Sequence, residues 1–184
     1  MKSKKAVNVT KENSKVFFMP DQVKFERVEG NIKTKLRMVL DQEEAVEIRR
    51  LELENIGNTE ESLEVSCKFE PILSSKEQDY AHPSFNSLFL MMDYDENEKI
   101  LEVKRRKRGN NEKEMFLEAM FSTDATVLVD NEFETDKEKL QVRGELDIPY
   151  KIKKSIPFSN KVGLTTEPVV AMRKTIKLAP NEKK

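Results

Sequence analysis

The chain has 184 residues, with 33 basic and 34 acidic side chains and a formal net charge of −1. That length suits one domain, and the interspersed charges create no global field that would favour nucleic acid. One Cys excludes an internal disulfide, and one His beside one Cys excludes the common zinc sites. Charged residues make up 36% and hydrophobic ones 37%, and mean hydropathy is −0.68. The apolar residues fall in short alternating runs, which suits a thin sandwich better than a thick helical core.

Residues 1–14 are polar and aperiodic, and read as a tail or linker. Basic residues open the chain without an apolar segment behind them, so no secretory signal is expected and the location is read as cytoplasmic. Asn8-Val9-Thr10 matches a glycosylation sequon, which carries no meaning without secretion. From Ile32 the pattern has period two: Ile32, Thr34, Leu36, Met38 and Leu40 alternate with Lys33, Lys35, Arg37 and Val39. A turn follows at Asp41 to Glu44. Val46 and Ile48 are out of phase with Leu51 and Leu53, which predicts a bulge at Arg49 or Arg50. Asn55 to Asn58 reads as a turn that tolerates positive φ, pairing this strand with Leu63 to Phe69. Cys67, within that second strand, reads as an inert buried thiol.

Residues 74–86 form a long polar segment carrying Tyr80, His82, Pro83 and Phe85. Strands are expected at Leu88 to Tyr94 and Ile100 to Arg106, joined by an acidic turn. That turn begins like a calcium loop. Glu98 stands where such a loop needs Gly, and Lys104 where it needs a bidentate Glu, which excludes it. Strands follow at Met115 to Phe121 and Thr126 to Val129, a short helix within Phe133 to Leu140, a rim strand at Ile148 to Ile156, and a last strand at Met172 to Leu178. No domain boundary is expected within 15–184. The longest apolar stretch, Leu88 to Met92, is too short to span a bilayer, so no membrane contact is expected. No cofactor motif and no catalytic signature appear.

Three features carry candidate chemistry. Lys104 to Arg108 is a dense basic run that could take phosphate, nucleic acid or an acidic partner. Without interleaved aromatics it reads better as a solvated hairpin end offset by Glu112 and Glu114, with no nucleic acid bound. Tyr80, His82 and Phe85 resemble the aromatic-plus-polar lining of a sugar site, in which rings cover sugar faces and a polar group orients hydroxyls. Against this, His82-Pro83 suits the start of a short helix, and Phe85, Leu88 and Phe89 have the spacing of one buried stripe. Asp136, Glu138 and Glu145 with Arg143 offer carboxylates without a defined separation, and read as a charged surface turn.

Four stretches taken together point to one family. They are Val46-Glu47-Ile48-Arg49-Arg50-Leu51-Glu52-Leu53-Glu54-Asn55, then Asp79 to Phe89 with its Ala81-His82-Pro83, then Glu134-Thr135-Asp136-Lys137 through Arg143-Gly144, then Pro168 to Pro180. In order, they resemble the β-supersandwich domain of cyclic β-1,2-glucan synthases and of the related cellobiose, chitobiose and 1,2-β-oligoglucan phosphorylases. Two departures stand out: Glu167 replaces Asp before Pro168, and Leu140 to Arg143 carry Leu-Gln-Val-Arg where the third stretch of the family has an aromatic and a glycine.

The resemblance implies an all-β fold, a two-sheet antiparallel β-supersandwich of the galactose mutarotase-like kind, with at most one or two short helices. It implies a catalytic (α/α)₆ barrel in the parent protein that this chain lacks, so no catalytic residue and no metal or cofactor is expected here. The chain is then a non-catalytic, carbohydrate-associated domain of a glycoside phosphorylase or glucan synthase-like protein. It packs on the barrel, with β-glucan oligosaccharide as a ligand and Tyr80, His82, Phe85 and Arg143 as the candidate rim. The alternative is a purely structural or dimerisation domain without sugar binding. On either reading the apolar surface meant for the barrel is expected to drive self-association, as a homodimer.

Overall fold

The computed structural model of the chain describes residues 14–110, 112–144 and 148–184. Strands β1 (Ser14–Phe18), β2 (Val23–Glu29), β3 (Ile32–Leu40) and β4 (Glu47–Asn55) form a four-stranded antiparallel meander. Strand β5 (Glu61–Phe69) precedes two short helices, α1 (Lys76–Ala81) and α2 (Pro83–Ser87). Strands β6 (Leu90–Asp95), β7 (Ile100–Arg105), β8 (Phe116–Met120) and β9 (Thr126–Asp136) follow, then helices α3 (Lys137–Leu140) and α4 (Tyr150–Lys153), and strands β10 (Gly163–Leu164) and β11 (Pro168–Leu178). The sheets run β1-β2-β3-β4, β10-β6-β7-β8 and β5-β11-β9. The all-β class expected from the sequence holds. Its detail differs in having three sheets and four short helices among the described residues. The described residues group into two compact units: one of Glu64–Thr123 with Leu128–Thr175, the other of residues 14–63 with Asp124–Val127 and Ile176–Lys184.

In the unit containing the meander, cross-strand register sorts the side chains into rows. On one face Val16, Phe25, Leu36 and Leu51 lie directly opposite one another, strand by strand. On the other, Lys15, Glu26, Lys35 and Glu52 alternate in sign across the same strands. The Lys24 ammonium, 2.7 Å from Glu26, holds that carboxyl below its usual range, with help from Lys35 and Lys15. Neither strand before Ile32 was legible in the sequence, because Val16 to Met19 are apolar without alternation.

The predicted bulge is absent: β3 and β4 pair without interruption from Ile32↔Asn55 to Leu40↔Glu47. The phase change is real but has another cause. Ile48 lies on the charged face opposite Val39, while Leu51 and Leu53 belong to the apolar face. The predicted β4–β5 pair is also absent, since the two strands belong to different sheets.

Asn55 explains the break. Its side chain is fully buried and donates to the carbonyls of Thr59 at 2.8 Å, Ala179 at 3.0 Å and Leu178 at 3.3 Å, while its Oδ1 accepts from the Gly57 amide at 3.0 Å. The turn is therefore knotted to the end of β11, and β4 takes its further pairing from the last residues of the chain. Leu53 exchanges two backbone bonds with Lys184, and the Asn55 amide donates to Glu182. The Asn55 to Asn58 turn forms as expected, and Gly57 does not use the positive φ it tolerates. What the glycine supplies is space, since a Cβ there would lie 2.7 Å from the Asn31 side chain.

In the other unit, β11 is buried on both faces. Val170 and Met172 pack with Leu73, Leu90, Met92, Leu101, Val103 and Phe133, while Val169 and Ala171 pack with Leu140 and Phe158. A strand covered twice reads as a continuous apolar run rather than an alternation, which is why its first half, Pro168 to Ala171, escaped the sequence reading.

The second part of β9, beyond the expected Thr126 to Val129, escaped for the opposite reason. Its Glu132 and Glu134 look like a helix or loop, but they alternate with the buried Phe133 and Thr135 and face fixed cations. Arg173, almost fully buried, grips Glu132 with two bonds at 2.8 and 2.9 Å, donates to the Ile156 carbonyl at 2.9 Å and stacks 4.3 Å from the Phe158 ring. Glu134, fully buried, accepts from Lys151 at 2.8 Å and from the Ser159 hydroxyl at 2.7 Å and amide at 3.2 Å.

The predicted rim strand at Ile148 to Ile156 is instead α4. Of the three isoleucines spaced by four only Ile152 lies in the helix, and it packs against the Leu140 and Phe158 cluster, while Ile148 and Ile156 flank it. Cys67 is only partly buried, which corrects its reading as a core thiol. The tail and sequon readings lie outside the described residues, apart from Ser14, which opens β1.

Asn55→Ala is expected to destabilise the chain by about 3 kcal/mol, because buried carbonyls lose their donor; urea unfolding measures it. Glu52 supplies a pH test. Its hydrogen bond from Lys183, at 3.2 Å, depresses its folded pKa. Its contribution is therefore complete above the ordinary carboxylate range and is lost as pH falls through the folded value. Lys183→Met should lower Tm at pH 7 and leave it unchanged near pH 2.

Candidate functional site

The first candidate region is built by α1 and α2. Ser75 caps α1 by accepting from the Gln78 amide, and Pro83 stands at the first turn of α2, as the sequence suggested. Asn86 ties the helices together: its amide donates to the carbonyls of Gln78 at 2.6 Å and His82 at 3.0 Å. Its oxygens receive the buried Arg105 guanidinium at 3.2 and 3.3 Å. Arg105 and Arg108 lie 5.4 and 5.2 Å from the Phe89 ring, which meets Phe85 edge-on at 5.2 Å. The stripe of Phe85, Leu88 and Phe89 is thus not a buried one: Phe85 is half exposed and carries Arg108 at 5.9 Å. Tyr80 is 92% exposed and His82 is exposed beside it in sequence.

The basic run is absorbed locally. Lys104 pairs with Glu102 at 2.6 Å, a bond that raises the ammonium's pKa. Arg106 donates to the Leu88 carbonyl at 2.9 Å. Lys107 lies 3.9 Å from Glu114, and Arg108 binds Glu112 at 3.0 Å, so the two acids the sequence offered as offsets both serve. The Arg108 amide and guanidinium hold the Glu112 carboxyl below its usual range. The acidic β6–β7 turn is held by Asp95, whose Oδ1 accepts from the Asn97 and Glu98 amides. Among the described residues no cluster of metal-ligating side chains exists.

The second region is a depression of about 680 Å³, a volume typical of ligand pockets. Arg143 and Gly144 form part of its wall, with Lys68, Lys137, Tyr150 and Glu167 around them. Helix α3 positions the wall. Asp136 caps it by accepting from the Glu138 amide at 3.1 Å and pairs with Lys139 at 3.1 Å. The Lys137 amide donates to the Glu167 carbonyl at 2.9 Å, and its ammonium meets Glu70 at 2.8 Å. Lys68 donates to Gln141 at 3.1 Å. Asp136 and Glu138 are therefore a helix cap and a first-turn acid, and Glu145 lies outside the described residues.

Arg143 belongs to this depression, and Tyr80, His82 and Phe85 do not line it. The four candidate rim residues fall in two places. Sequence reasoning missed Lys68, Lys137, Tyr150 and Glu167 as lining. Two of them carried a signal, Lys137 within the third family stretch and Glu167 as a departure from the family pattern.

The family model described as "Glycosyl hydrolase 94, supersandwich domain" matches residues 3–184. A curated relative, the cyclic beta-(1,2)-glucan synthase NdvB of Rhizobium meliloti (strain 1021), is 23% identical over 167 residues, or 90% of this chain. The chain spans only 6% of that protein's length. Among the described residues no helix is long and apolar enough to cross a membrane.

Asn86→Ala should cost about 2 kcal/mol, since the Gln78 and His82 carbonyls lose their side-chain donor and the buried Arg105 loses its Oδ1 acceptor. Hydrogen exchange should accelerate first across Lys76–Ser87, ahead of the β-sheets.

Proposed function

The chain belongs to the glycosyl hydrolase 94 supersandwich-domain family, and we propose that it is the non-catalytic, carbohydrate-associated domain of a β-glucan phosphorylase or cyclic glucan synthase-like protein, packing on a catalytic barrel and contacting glucan. The observation that carries the glucan contact is the depression around Arg143. It combines exposed donors, acceptors and the partly exposed Tyr150 ring in one open concavity. Sugars are bound by such mixtures: planar groups cover ring faces while charged groups orient hydroxyls. The depression's Glu70 is engaged by Lys137 at 2.8 Å, which suits holding a ligand better than moving a proton. The exposed Tyr80, His82 and Phe85 offer a second, smaller contact. A reducing compartment such as the cytoplasm agrees with a sequence holding one cysteine.

The structural reading, a domain that packs without binding sugar, is favoured by one feature. The apolar row of the meander leaves Val16 and Phe25 substantially exposed, as a packing face would.

NMR titration with β-1,2-gluco-oligosaccharides separates the two, with cello-oligosaccharides as comparison. Shifts localised to Gln141–Gly144 and Tyr150, weakened about tenfold or more in Arg143→Ala, are expected. Shifts at Tyr80–Phe85 lost in His82→Ala would locate the contact on α1 and α2 instead. No shift at millimolar sugar would leave the structural reading.

A further inference from the structure

Strand β1 is the outer strand of its sheet, and Val16, Phe17, Phe18 and Met19 are four consecutive apolar residues, all exposed. Phe18 is 81% exposed. Long runs of this kind on a sheet edge are ordinarily blunted by charge, proline or a bulge. Here the only charge within the strand is Lys15.

The hydrogen-bonding direction of the edge follows from the β1–β2 turn. The Met19 amide donates to the Gln22 carbonyl, so Met19 and Gln22 form a hydrogen-bonded pair facing β2. Such pairs alternate along an antiparallel ladder. With Phe18↔Val23, Val16↔Phe25 and Ser14↔Arg27 opposite one another, the backbone groups of Ser14, Val16 and Phe18 point away from β2. Among the described residues no strand pairs with that side.

We propose that this edge is a self-pairing surface, on which two copies of the chain join β1 to β1 in antiparallel register about a two-fold axis through Val16. Three properties single out a second copy. Full overlap of the five-residue strand puts outward backbone groups opposite outward backbone groups, Val16 against Val16 and Ser14 against Phe18. It also puts Lys15 opposite Phe17 of the second copy, twice. This sheet already uses that pairing: within one copy Lys24 lies directly opposite Phe17, its ammonium 4.9 Å from the ring. A register centred on Lys15 would instead oppose two ammonium groups. Finally, the apolar row Leu51, Leu36, Phe25, Val16 continues across the axis into Val16, Phe25, Leu36 and Leu51 of the second copy. The two four-stranded sheets become one. This surface is independent of the depression at Arg143, so either proposal can fail alone.

Cross-linking of the full chain tests the register. In a Cys67→Ser background, Val16→Cys faces its own copy at a Cα separation of about 5.5 Å, within disulfide reach. It should form a disulfide dimer under mild oxidation. Lys15→Cys mixed with Phe17→Cys should cross-link better than either alone. In sedimentation, the unmodified chain should dimerise and Val16→Lys should weaken the dimer about tenfold or more. A chain that stays monomeric to millimolar concentration overturns the proposal. So does a dimer that Val16→Lys leaves intact and Val16→Cys fails to trap. Should Val16→Lys not fold, the Val16→Cys result decides alone.

Discussion

Within its unit, the fold depends on a guanidinium that has been taken out of water. Arg173 sits in the middle of a strand covered on both faces, where an unpaired charge would cost several kcal/mol. Everything near it answers that cost. Glu132 accepts two of its bonds, the Ile156 carbonyl a third, and the Phe158 ring lies against its plane. Those partners come from β9 and from the segment after α4, so satisfying one cation fixes three stretches of chain. Glu134, two residues from Glu132, repeats the device with Lys151 and Ser159. The apolar clusters supply the driving force, and the ion pairs decide which segments lie where.

That view accounts for the residues that made the family recognisable. Asn55, Asn86, Glu134, Asp136 and Arg173 all fall in the four motif stretches. Each is a hydrogen-bond organiser: a turn knot, a helix tie, a clasp, a cap and a buried cation. The motifs record how the domain is closed, and sugar chemistry is not needed to explain them. Of the motif residues offered as ligand contacts, Arg143 alone lines the depression, whereas Tyr80, His82 and Phe85 stand apart.

The legible parts of the sequence were those where one face is wet. Strands β3, β6 and β7 alternate cleanly and were placed within a residue or two. Where both faces are dry, as at Val169 and Val170, or where a polar face meets fixed cations, as at Glu132 and Glu134, the period-two signal changes character. Ile148 to Ile156 failed because isoleucines at every fourth position also satisfy a period of two, whereas the segment forms a four-residue helix in which Ile152 alone packs inward. Of the depression, only Arg143 was legible as a contact, and its shape was not legible. Lys68 on β5 and Glu167 before β11 meet α3 only through the sheet, and no spacing in the chain announces that.

The sign-alternating row of Lys15, Glu26, Lys35 and Glu52 carries an implication for how this surface can change over time. Reversing an inner member, Glu26 or Lys35, creates like-charge pairs with its neighbours on both sides; reversing two adjacent members still leaves a like-charge pair wherever they meet an unchanged neighbour, and only reversal of all four restores every attraction. Partial reversals there meet resistance that a complete one avoids. Drift along this face should proceed in correlated exchanges, so related chains would carry either the row as it stands or its mirror in charge, with few intermediates.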